Sequence, residues 1–317
     1  MQGHRRNILI AVDASQHSFE AVRYVGQIVP PEGSAVTLLH VFDPIPESFY
    51  DLESVPSFRH QVIGVHAWEV QQKRNMEKFM EQAGRLLESR GYPRASIAAV
   101  IKEREVGIAR DIVKEAGRGY DALVVGRKGM SPLKDLVMGS IANRLVSHVA
   151  QPPVWVIGDH PDTSRVLIAM DSSDGARRAL EYVSRLWGRD HPELLLFHVT
   201  RGVESLMPTY EEALLESEWL DRARDQFKRA ETAMMSVLKD ASRYLERQGA
   251  DAGRISTKIS AGARSRAAAI IEEARQGGYG TIVLGRRGIS RVEEFIMGRV
   301  SSKVLQLAPK MAVWVVH

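Results

Sequence analysis

The chain has 317 residues, 44% hydrophobic and 26% charged, with no cysteine, a length that suits two domains each able to bury a core. The net charge of +4 is mild and the acidic residues are interspersed, which argues against a nucleic-acid stripe, and the missing cysteines exclude disulfides, thiolate nucleophiles and cysteine-ligated metal centres. The opening "MQGHRRNILIAVD" holds an apolar run too short for a signal peptide, and no uncharged apolar stretch approaches ~20 residues, so a cytoplasmic location without membrane insertion is expected.

In chain order, short apolar and β-branched runs predict strands at 8–12, 35–41, 97–101, 122–125 and 154–157. Helical spacing fills the intervals. With Ser18 as the expected N-cap, Phe19, Val22, Val25 and Val29 recur on one face. Met76, Phe79, Met80, Ala83 and Leu87 form a second stripe, and Ile141, Leu145, Val146 and Val149 a third. A polar join, "GDHPDTS" at 158–164, precedes a second set of strands at 166–170, 194–199, 255–259, 281–284 and 313–316. Segments 43–66 and 201–218 are less regular and are expected to form a loop or lid over the strand ends.

The second set repeats the first. "ILIAVDAS" (8–15) matches "VLIAMDSS" (166–173), and "LHV" (39–41) matches "FHV" (197–199). Residues 124–157 align with 283–316 without a gap, sharing three glycines, Met138/Met297 and the tail "VWV". This is a tandem duplication, with domains expected at 1–158 and 164–317. Strands apolar on both faces and alternating with helices imply an α/β fold. It has two tandem doubly wound domains, each a five-stranded parallel sheet with helices on both faces, of Rossmann-like type.

Ligands of such sheets settle at the carboxyl ends of the strands. Gly126 ends the fourth strand of the first copy, and Gly139 and Ser140 begin the helix that follows. Glycines at this junction either make turns through positive φ or let a phosphate approach the backbone, beside a helix start that offers free N–H groups. The same G-x2-G-x9-G spacing in both halves favours an anion or nucleotide. Asp13 and Asp171 end the first strands, placed to receive an adenine amine or ribose hydroxyls, to help hold a metal ion beside phosphates, or to cap a helix. His40 and His198 lack a second ligand at metal spacing and read as hydrogen-bonded histidines. There is no Walker A sequence, dinucleotide fingerprint or nucleophile elbow.

With these residues the chain resembles the universal stress protein family, in its tandem two-domain form. The resemblance rests on "ILIAVDAS", the "HV" ending strand two, and "GRKGMSPLKDLVMGSIANRLV" followed by "PPVWVI". It implies a sheet like that of the adenine nucleotide alpha hydrolases and an ATP-binding signature, G-x2-G-x9-G-[ST]. In the first domain the implied contacts are Asp13 and Val41 at adenine and ribose, Gly126 and Gly129 along the ribose and phosphates, and Gly139, Ser140 and Ile141 at the phosphates. The nucleotide would be ATP, AMP or another adenine nucleotide, with Mg²⁺ or Mn²⁺ on the phosphates.

The second domain offers Asp171, Val199, Gly285, Gly288 and Gly298, but Arg299 replaces the signature serine. That arginine either reaches a phosphate or fills its space, and Arg264, Arg266, Arg286 and Arg287 make the neighbourhood basic. Ser301 lies one turn too far to substitute for the missing serine. The resemblance further implies pairing of the two domains through their last strands, a homodimer, and a regulated protein partner. Its activity reads as nucleotide-responsive regulation. A slow ATPase or phosphotransferase and a non-nucleotide dimerisation scaffold are the alternatives.

Overall fold

The computed structural model describes residues 5–45, 59–129, 138–187, 191–200, 217–263, 265–288 and 297–317. They form two compact units, Met1–Pro152 and Pro153–His317.

The first unit runs β1 (Arg6–Ala11), α1 (Gln16–Ile28), β2 (Ser34–Phe42), α2 (Arg59–Ser89), β3 (Ile97–Glu103), α3 (Ile108–Ala116), β4 (Ala122–Gly126) and α4 (Ser140–His148). Its strands lie in the order β3-β2-β1-β4, all parallel. β1 is fully enclosed: Ile8, Leu9 and Ile10 expose nothing, because β2 and β4 flank it and helices cover both faces. The expected stripes of α1 and α2 are the buried ones, with Val22, Val25, Ala83 and Leu87 inaccessible to solvent. α1 packs on α2, with Phe19 edge-on to Phe79 at 6.0 Å between ring centroids, and α3 packs on α4. The chain order reverses direction between β1 and β4, which opens a crevice at their carboxyl ends.

The second unit contains β5 (Val154–Ile157), β6 (Arg165–Ala169), α5 (Asp174–Trp187), β7 (Glu193–Val199), α6 (Ser217–Arg247), β8 (Ile255–Ser260), α7 (Arg266–Gln276), β9 (Thr281–Gly285), α8 (Arg299–Leu307) and β10 (Ala312–Val316). β9-β6-β7-β8 repeats the parallel order of the first unit, with β10 parallel beside β9. β5, the last strand of the first sequence repeat, joins this unit and pairs antiparallel with β10, Trp155 opposite Trp314. Their indoles stack at 3.8 Å with planes 1° apart, edge-on to Tyr182.

The ten strands occur where apolar periodicity expects them, within one or two residues. Of the irregular segments expected to form loops or lids, 46–58 and 201–216 lie outside the described residues, and residues 59–66 and 217–218 open the long helices α2 and α6. Among the described residues no helix is long and apolar enough to cross a membrane.

Candidate functional site

In the first unit a cavity of about 410 Å³ opens at the carboxyl ends of β1, β2 and β4. Asp13, Val41, Gly126, Gly129, Gly139, Ser140 and Ile141 all line it. The site is built from the turn after β1. Ala14 adopts the left-handed region with φ of 61°, a costly conformation for a residue with a Cβ. The turn brings the Asp13 carboxylate back onto the chain, where Oδ1 accepts the Ser15 N–H at 3.0 Å.

Ser15, not Ser18, caps α1. Its Oγ accepts the Ser18 N–H at 3.2 Å, while the Ser18 hydroxyl donates to the Ser15 carbonyl. The helix starts earlier than its apolar stripe because the left-handed turn at Ala14 already redirects the chain. Asp13 is therefore a neighbour of the cap and not the cap itself.

The signature glycines do not serve a positive φ: none of Gly126, Gly129 or Gly139 lies in that region. They make room. A Cβ on Gly126 would fall 2.7 Å from the carbonyl carbon and oxygen of His17, at the start of α1, and one on Gly129 would overlap Asp13 Oδ2. Gly139 is the N-cap of α4. Its N–H donates to the Arg127 carbonyl at 2.8 Å and its carbonyl accepts from the Asn143 N–H at 3.0 Å.

Ser140 is thus the first helical residue, exposed, and its hydroxyl makes no hydrogen bond among the described residues. The capping role that the sequence left open for it belongs to Gly139. Ser140, Ile141 and Ala142 face the cavity from the first turn of α4, where backbone N–H groups lack intrahelical partners and the helix dipole is positive.

His40 ties β2 to β1: its Nδ1–H donates to the Val12 carbonyl at 2.8 Å. Burial, the largest influence, holds its pKa below the ordinary histidine value against the opposing effects of that bond and Asp13. The ring is a neutral positioning group with one nitrogen committed.

Sequence reasoning missed the far wall. Trp68, Gln72, Asn75 and Met76 line the cavity from α2, and Ile108 and Ile112 from α3. The spacing of the four α2 positions puts them on one helical face, a signal available in the sequence, where Met76 alone stands out, as part of the apolar stripe of α2. Trp68 stands at the rim with 56% of its surface exposed.

The second unit has the corresponding cavity, of about 460 Å³, lined by Asp171, Val199, Gly285, Gly288, Gly298 and Arg299. Its framework repeats the first. Asp171 Oδ1 accepts the Ser173 N–H at 3.0 Å and the Ser173 hydroxyl at 2.5 Å. Ser173 Oγ in turn accepts the Ala176 N–H, and His198 Nδ1–H donates to the Met170 carbonyl. Gly285 presses on the backbone of Gly175, Gly288 faces Asp171 Oδ2, and Gly298 caps α8 with its N–H donated to the Arg286 carbonyl at 2.9 Å.

Arg299 takes the place of Ser140, exposed at the first position of α8. Ser301 offers no replacement, since its hydroxyl is buried and donates to the Gly285 carbonyl at 2.8 Å. Arg266 and Arg287 line the cavity; Arg264 lies outside the described residues. Arg286 does not line it: its guanidinium is buried and donates to His317 Nδ1 at 2.8 Å.

Comparison with known proteins gives a consistent picture. The model of the universal stress protein family matches twice, over residues 4–158 and 163–317. A universal stress protein of Mycolicibacterium smegmatis is 25% identical over 212 residues, 65% of this chain and 68% of that protein. Universal stress protein YxiE of Bacillus subtilis is 28% identical over 148 residues, 46% of this chain and 93% of that protein. Among solved structures, a universal stress protein from Archaeoglobus fulgidus DSM 4304 shares the fold with a TM-score of 0.64 and 19% identity, covering 100% of this chain and 99% of that one. With two copies of the family's domain spanning nearly all of its length, the chain belongs to the universal stress protein family.

Proposed function

We propose that the protein is a nucleotide-responsive regulator of the stress response that binds an adenine nucleotide, ATP or AMP, in the cavity of the first unit. The observation that carries this reading is the convergence of an apolar slot and an anion cradle in one space. Val41, Phe42, Met76, Ile108 and Ile112 supply a wall for a flat base. Asp13 supplies a carboxylate for amine or hydroxyl donors. Gly129, Gly139, Ser140 and Ile141 supply backbone and an unengaged hydroxyl for phosphate.

A divalent cation, Mg²⁺ or Mn²⁺, would enter with the phosphates. Among the described residues no three His, Asp or Glu side chains gather to hold a metal on their own, and Asp13 is the carboxylate placed to complete the coordination of a nucleotide-bound ion. Neutral His40, with Nδ1–H committed to Val12, fixes the two strand ends that carry Asp13 and Val41. The site is suited to holding a nucleotide, and we assign it binding in preference to turnover.

Thermal denaturation in the presence of ATP, AMP, adenosine and GTP tests the assignment. The reading expects ATP and AMP to raise the melting temperature, with adenosine weaker for want of a phosphate and GTP weaker for want of the adenine amine. Equal shifts from ATP and GTP would remove adenine from the account, and no shift from any nucleotide would leave the scaffold reading.

A further inference from the structure

We propose that the cavity of the second unit is a site for a condensed phosphate, a di- or triphosphate chain, and that it is selected by charge and not by a base. The inference stands independently of the adenine reading of the first cavity.

The two cavities share a framework and differ in electrostatics. Around the first, Arg127 and Lys128 are balanced by Asp13 and Asp43. Around the second, Arg266, Arg287, Arg299 and Lys303 face the single carboxylate of Asp171 among the described residues. These four cations come from separate places, the start of α7, the turn after β9 and the first two turns of α8. None of them forms an ion pair among the described residues, whereas Arg275, on the outer part of α7, is paired with Glu272. Clefts lined by one sign of charge concentrate the potential and attract the opposite ion. Four cations against one carboxylate leave a surplus of three positive charges among the described lining residues, which a di- or triphosphate matches more closely than an orthophosphate or a carboxylate does.

One further observation concerns Arg287. It is half-buried in the wall of the cavity and its side chain forms no hydrogen bond or ion pair among the described residues, so its guanidinium is left to donate to a phosphate oxygen.

The replacement of Ser140 by Arg299 is then a change of ligand class. A hydroxyl offers one short hydrogen bond, and a guanidinium offers a bidentate fork that reaches beyond the helix start. Ser301 is engaged with Gly285 and leaves the anion to the arginines.

The test is calorimetric titration of the intact chain with inorganic tripolyphosphate, orthophosphate, ATP and AMP at low salt. Wild-type protein should bind one tripolyphosphate per chain, at least tenfold more tightly than orthophosphate. Arg299→Ser and Lys303→Gln, both at exposed positions, should each weaken that binding about tenfold. Lys239→Gln, which removes an exposed charge on α6, should leave it unchanged.

ATP that is displaced from this site by tripolyphosphate would identify the ligand as the tail of a nucleotide. Tripolyphosphate binding that ATP does not contest would identify an inorganic chain. The proposal is overturned if tripolyphosphate gives no saturable heat, if Arg299→Ser and Lys303→Gln both bind as wild type does, or if Lys239→Gln weakens binding as much as they do.

Discussion

The Oδ2 atom of Asp13 occupies the space that a side chain on Gly129 would need. Strand β1 and the loop after β4 are thereby locked into contact at the floor of the first cavity, and Asp171 with Gly288 repeats the arrangement, a Cβ there falling 2.8 Å from Oδ2. The three glycines of the first signature consequently differ in what they protect. A Cβ on Gly126 would strike the backbone of His17 at 2.7 Å, whereas one on Gly139 would meet nothing nearer than the Arg127 carbonyl at 3.4 Å, an ordinary contact. Gly126→Ala should cost about 1–3 kcal/mol of stability, because a helix start must move. Gly139→Ala meets no steric conflict and should cost only about 0.5–1 kcal/mol for the poorer N-cap, acting chiefly on ligand affinity. Urea denaturation of both variants checks the contrast; equal stabilities would contradict it.

Ser140 separates binding from folding in the same way. Its hydroxyl is exposed and unbonded among the described residues, so Ser140→Ala should leave the melting temperature unchanged. A hydrogen bond to a charged phosphate is worth about 1.5–3 kcal/mol, so ATP affinity should fall at least tenfold. A variant that melts earlier but binds equally well would show that the hydroxyl serves the helix and not the ligand.

Much of this was legible in the sequence. Apolar runs gave the strands, and the duplication gave the doubled architecture. The physical reason for the glycines was legible only in part: the sequence offered positive φ or room for a phosphate, none of the three has a positive φ, and at Gly126 and Gly129 the room is also required by His17 and Asp13 from another part of the chain. The cap at Ser15 was hidden because the stripe Phe19, Val22, Val25 begins after the helix does. Trp68, Gln72 and Asn75 carry no motif, and only the tertiary fold brings α2 over the strand ends. The pairing of the last strands, β5 with β10, was implied by the resemblance; that β5 then packs within the second compact unit, its Trp155 stacked on Trp314, was not.

That stacked pair anchors the β5–β10 junction, and both indoles are completely buried. Trp155→Ala should destabilise the second unit by about 3–5 kcal/mol, and Trp155→Phe by much less, since part of the stack on Trp314 is kept. Denaturation followed by far-ultraviolet circular dichroism reads both; a loss below ~1 kcal/mol for Trp155→Ala would mean the junction tolerates the cavity.

His317 makes the second unit sensitive to acid. Burial, then the charges of Arg286, Arg178 and Arg287, push its pKa down from 6.5 to about 3. Because the folded value is depressed, its contribution is complete above about pH 6.5 and is lost progressively as pH falls toward 3. The loss is at most about 1.4 kcal/mol per pH unit. His317→Gln keeps an acceptor for Arg286 and removes the titration. Its stability should therefore fall less steeply than the wild type's between pH 6 and about 4; parallel curves would show that His317 titrates freely in the fold.

The most direct test of the central claim is a calorimetric titration of nucleotide-free protein with ATP and Mg²⁺, run in parallel on the wild type and on Gly129→Ala. That variant displaces Asp13 at the floor of the first cavity and leaves the second untouched. The account predicts a saturable event in the wild type that is lost in Gly129→Ala while the variant stays folded. Identical isotherms for the two proteins, or no binding by either, would contradict the assignment of the first cavity to an adenine nucleotide.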